Sequence, residues 1–134
     1  MSSEQSWSLP PVTRTQVERA VRKHAARVGL PWQCEQTRDE IAVTVQFPVA
    51  RLARLALDLS QVYDTVEQAD AELHPRDPAP EHYTCTFEVF DARDEDGEFV
   101  ARVYTDDEDN HAAWAAIVSF VDAVVDSLGG RWED

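Results

Sequence analysis

Lysine is almost missing from this chain of 134 residues: Lys23 stands beside eleven arginines, and twelve basic residues face 26 Asp and Glu, for a formal net charge of -14. That sign disfavours a protein whose whole exterior grips DNA, RNA or anionic lipid, since each of those partners is a polyanion. Cysteine is scarce too. Cys34 and Cys85 are too few to staple a secreted disulfide scaffold, and a chain of this length can build a core without one. Only four glycines are present, with no Walker A loop, no GxGxxG and no Gly-rich nucleophile turn, so nothing implies a nucleotide or other cofactor. Long apolar runs are also lacking. The longest, Ala112 to Val125, is interrupted by Ser119 and Asp122 and is too short to span a bilayer. The N-terminus carries neither a basic nor an apolar leader region, so the expectation is a soluble, cytoplasmic protein without a membrane role.

What is present fits one globular domain: 43% hydrophobic and 28% charged residues argue against disorder or a fibrous repeat. One asparagine and two isoleucines against abundant Ala, Val and Asp give the look of a GC-rich coding sequence. Dense carboxylates with a single lysine suit a KCl-rich cytoplasm, where salt screens self-repulsion, and halophilic adaptation is therefore one expectation.

Residues 1–12 are Ser-rich and end in Pro10-Pro11, which reads as a flexible lead-in before a single domain over 13–134. Thr13 with Gln16 and Thr15 with Glu18 both fit a capping-box pattern, Val17, Val21 and Val28 fall on one face with His24 or Ala25, and Gly29 with Pro31 stops the helix. Trp32 to Glu35 reads as a short strand. Ile41, Val43, Val45 and Phe47 alternate with polar or small residues, the pattern of a half-buried strand. From there Leu52, Leu55, Leu59, Val62, Val66, Ala69 and Leu73 step by three and four, which predicts about six helical turns, some 33 Å long at ~1.5 Å per residue. A competing reading breaks this stretch, because Leu55-Leu57-Leu59 also alternates and Val62-Tyr63 is β-prone. After a Pro-rich loop, Tyr83–Phe90 and Glu98–Thr105 read as a hairpin with a long acidic turn. Thr105 and Glu108 predict the cap of a last helix ending at Leu128. The order α-(β)β-α-ββ-α predicts a two-layer α+β fold, a small antiparallel sheet of three or four strands with helices packed on one face. In size, acidity and element order the chain is similar to secretion-chaperone-like domains, although the third strand before the middle helix is missing here; that likeness implies a chaperone-like dimer.

Four constellations could carry chemistry. The seam of Leu52, Leu55, Leu59, Val62, Val66 and Leu73 is longer than strands of this size can cover, which points to a partner helix or a second copy, hence a homodimer. On the first helix Arg19, Arg22, Lys23 and Arg27 make a basic stripe, giving residues 13–28 a charge of +4 against -18 elsewhere. It could hold phosphates or an acidic surface, or face the acidic body of its own chain. His74, Asp77, His82 and Cys85 offer metal-ligand types, but their spacing fits no standard zinc pattern and places His82 and Cys85 on opposite strand faces. The acidic turn around Asp91–Glu98 fails as a calcium loop, because Ala92 and Val103 occupy positions that need carboxylates. Trp7 and Trp132, in the two tails, are either partner anchors or folded back on the body. No catalytic residue emerges. The reading is a small acidic non-enzymatic binding or adaptor protein acting through protein–protein contacts, with a nucleic-acid-associated or regulatory protein and a small metal-binding enzyme as alternatives.

Overall fold

The computed structural model describes residues 3–38, 40–73, 81–91, 99–105 and 110–132. Their elements follow in the order β1 (Ser3–Leu9), α1 (Arg14–Val28), β2 (Trp32–Gln36), β3 (Glu40–Pro48), a 3-10 turn (Val49–Arg51), α2 (Leu52–Leu59), α3 (Val66–Ala71), β4 (His82–Asp91), β5 (Phe99–Thr105), α4 (His111–Ser127) and β6 (Arg131–Trp132). All six strands belong to one sheet in the order β2-β3-β4-β5-β1-β6, and every neighbouring pair is antiparallel. The α+β class and the single antiparallel sheet match expectation, but there are six strands where three or four were expected.

Two of the extra strands come from the tails. Residues 3–9, expected to lie in a flexible lead-in, pair along their whole length with β5, from Ser3 opposite Thr105 to Leu9 opposite Phe99. Along β1 Glu4 is exposed, Gln5 and Ser6 are partly buried, and Trp7, Ser8 and Leu9 are buried. Trp7 is fully buried and Leu9 nearly so. β6 then pairs Trp132 with Trp7 on the far side of β1. Gly130 permits this approach: a Cβ there would lie 2.3 Å from Val125 Cγ1 and 3.0 Å from the Ser8 carbonyl oxygen.

One sheet face carries the core. On β3, Ile41, Val43, Val45 and Phe47 are buried while their neighbours are only partly so; on β4, Cys85, Phe87 and Val89 alternate with exposed Thr84 and Thr86 and half-exposed Glu88. Helices cover the buried face, with Phe120 of α4 edge-on to Phe47 at 5.8 Å. The α1 cap is as expected: Gln16 N donates to Thr13 Oγ1, Thr13 N donates to Gln16 Oε1, and Gly29 closes the helix at φ 68°. At the β2 edge, Arg14 Nη2 donates to the Cys34 carbonyl at 3.0 Å, placing a charged side chain on an edge that could pair with another strand.

The expected six-turn helix over 52–73 is instead two short helices joined by an irregular link at 60–65. Local side chains win the backbone there. Ser60 is extended and its Oγ accepts from Val62 N; Gln68 Oε1 accepts from Asp64 N at 2.8 Å; Thr65 Oγ1 accepts from Gln68 N at 3.2 Å and caps α3. The Ser60, Thr65 and Gln68 side chains, by taking these backbone amides, compete directly with helix continuation. The start of α4 is also corrected. Thr105 ends β5, and Asn110 caps the helix by accepting from Ala113 N while its amide donates to Tyr83 Oη at 2.8 Å. The acidic turn between β4 and β5 and residues 106–109 lie outside the described residues. No helix among the described residues is long and apolar enough to cross a membrane.

Candidate functional site

Breaking the 52–73 seam redistributes its residues. Leu52 and Leu55 are buried in the core of this chain, so they are not available to a partner. Val66 and Leu73 are half-buried, and Leu59 borders solvent. Val62 is 73% exposed, because its neighbour Tyr63 turns inward instead. Tyr63 Oη donates to Glu72 Oε2, a bond across the link that ties it to the end of α3. Burial, and secondarily that carboxylate, push the Tyr63 hydroxyl up to about 12, so it remains a donor.

The link forms one wall of a groove of about 860 Å³. The opposite wall is α4, which presents His111, Trp114, Ala115, Val118, Ser119 and Asp122, and Gln5 of β1 and Trp132 of β6 close it. These α4 positions recur every three or four residues and so share one face over roughly 17 Å. The apolar arc of this helix is divided. Ala116, Ile117, Phe120, Val121, Val124 and Val125 face the core, whereas Trp114, Ala115 and Val118 are only partly buried beside the groove.

Trp7 and Trp132 serve this site in different ways. Trp7 folds back completely, and its Nε1 donates to Asp122 Oδ1 at 2.8 Å, which orients that carboxylate at the groove. Trp132 meets the Trp7 ring edge-on at 5.4 Å and keeps 48% of its surface exposed. The groove is apolar in its exposed aromatic and aliphatic groups, and its charged lining residues are Glu72 and Asp122, with no Lys or Arg among them. Nothing in the sequence marked this place, because its residues come from five separate segments. The sequence had singled out three of its residues, Leu59 and Val62 in the seam and Trp132 in the tail, without placing them together.

The basic stripe lies elsewhere. Arg19, Arg22, Lys23 and Arg27 are all exposed on α1, and none pairs with a carboxylate within 4 Å among the described residues. The Arg22 guanidinium sits 5.9 Å from the centre of the Trp32 ring. Of the metal-ligand candidates, His74 and Asp77 fall outside the described residues. His82 and Cys85 point to opposite faces of β4, and burial pushes the Cys85 thiol up to about 12, making it a core side chain and a poor thiolate donor. No group of three metal-ligating side chains occurs among the described residues. Against protein-family models, curated proteins and solved structures the chain finds no match, so its groove is read from its own geometry.

Proposed function

We propose that this protein is a small acidic, non-enzymatic adaptor that binds a segment of another protein in the groove between α4 and the 60–65 link. The observation that carries the reading is the exposure of Val62 and Trp132, beside partly exposed Trp114 and Val118, around one concavity whose charged groups are Glu72 and Asp122. Contiguous exposed apolar surface with a polar rim is the usual mark of a docking site. A groove about 17 Å long accommodates three turns of an amphipathic helix, with apolar anchors three and four residues apart. The acidic rim on a chain of charge -14 favours an occupant whose flanking residues are Lys or Arg. A second copy of so acidic a chain is the less favourable occupant.

The test uses two synthetic twelve-residue helical peptides that share Leu anchors and differ in carrying Lys or Glu on their flanks. Tryptophan emission should shift with the Lys peptide and hardly at all with the Glu peptide, and Val62→Asp should weaken the Lys peptide at least about tenfold. Equal response to both peptides would refute the charge argument. A dimer mass by light scattering that Val62→Asp reduces to monomer would give the groove to self-association and overturn the proposal.

A further inference from the structure

A second concavity, of about 380 Å³, lies where α1, the segment after β1 and the C-terminal turn of α4 meet. Pro10, Pro11, Val12 and Leu128 supply apolar walls, and Arg19 and Lys23 stand beside them on α1. We infer that this cleft binds a small organic anion, a compact apolar body ending in one phosphate or carboxylate group. This inference is independent of the α4 groove.

The walls are set before any ligand arrives. Leu9 is anchored in the core, the two prolines have restricted φ angles, and Gly129, at φ 80°, turns the chain so that its Cα side packs against the Pro10 ring. The volume falls within the range of roughly 300–1,000 Å³ usual for small-ligand sites. Charge selects the ligand. Arg19 and Lys23 are one turn apart, with a rise of ~6 Å between them, and like charges at that spacing repel. Neither has a carboxylate within 4 Å among the described residues, in a chain where acids outnumber bases more than two to one. An anion seated between them relieves that repulsion and gains two charge-assisted hydrogen bonds. At the α4 C-terminus the Val125 and Asp126 carbonyls already accept from the Leu128, Gly129 and Gly130 amides, which lessens their opposition to an anion.

A built-in reporter adjoins the cleft. His24 shares a hydrogen bond of 2.7 Å with Ser127, and its imidazole is held below the ordinary value by burial and then by Lys23 and Arg27, against a smaller opposing pull from Asp126. Neutralising Lys23 with a bound anion should therefore move the His24 titration upward.

The experiment titrates the full chain with naphthyl phosphate, inorganic phosphate and the neutral naphthyl alcohol, following the His24 ring resonance by NMR and heat by calorimetry. Naphthyl phosphate should bind at least about tenfold more tightly than either fragment and raise the His24 midpoint. Arg19→Gln and Lys23→Gln, both at exposed positions, should each weaken it about tenfold, while Arg27→Gln should leave it unchanged. Indifference of naphthyl phosphate binding to Arg19→Gln and Lys23→Gln overturns the assignment. So does a short DNA duplex that displaces naphthyl phosphate and is weakened equally by Arg27→Gln, since the whole stripe would then be reading a phosphate backbone.

Discussion

Trp7→Phe tests the most consequential departure from the sequence reading, because a flexible lead-in would make this substitution nearly silent. In the structure the indole is fully buried and donates to Asp122 at 2.8 Å. Losing a hydrogen bond to a carboxylate is worth about 1.5 kcal/mol, the lower end of its range because Asp122 borders the groove and regains water. The smaller ring leaves transfer and cavity terms of about 1–2 kcal/mol. Together these predict destabilisation of about 3 kcal/mol. For 134 residues, at an unfolding entropy of ~2.1 cal/mol/K per residue, that is a fall in Tm of about 10 °C. The assay is urea unfolding followed by far-UV circular dichroism, which is independent of the tryptophan removed. Asp122→Ala and the double variant complete a cycle whose coupling should be about 1–1.5 kcal/mol. A loss below ~0.5 kcal/mol for Trp7→Phe, the size of an ordinary surface change, would refute the packing of β1.

Three further outcomes follow from other parts of the fold. Gly130→Ala places a Cβ against Val125 and the β1 backbone, so it should cost about 1–3 kcal/mol by overpacking, release Trp132 to solvent as seen in a red-shifted emission, and weaken the Lys-flanked peptide. Stability should also respond to pH through His24, whose folded value is depressed. The unfolded chain then binds that proton more readily, so the stability carried by neutral His24 is complete above about pH 6.5 and declines as pH falls through the lowered folded value. His24→Gln should flatten urea midpoints between pH 7 and 5; an unchanged slope would show that the imidazole is not held neutral. At the other extreme, Tyr63, raised to about 12, makes stability fall as pH climbs from about 10 toward 12.

Where a physical device is local, the chain announced it. Thr13 and Gln16 sit three residues apart and cap α1 as their spacing predicts, Gly29 ends it, and the alternation from Ile41 to Phe47 becomes a strand with one buried face. The link at 60–65 was local as well, but two local forces opposed each other there. Apolar residues at steps of three and four argued for a continuous helix, while the Ser60, Thr65 and Gln68 side chains could accept backbone hydrogen bonds outside one, and Tyr63 turned inward to Glu72.

The α4 groove was decided only by the tertiary structure. Ser3–Leu9 has few apolar groups, and what makes it a strand is its partner β5, over ninety residues away along the chain. Trp132 lies beside Trp7 only because Gly130 lets the backbones touch. Charge shows the same division. Composition determined that the protein is acidic and that α1 is its basic exception. Whether that stripe faced its own body or solvent depended on where the sheet placed α1, since a Coulomb interaction follows distance in space and burial, neither of which is set by separation along the chain.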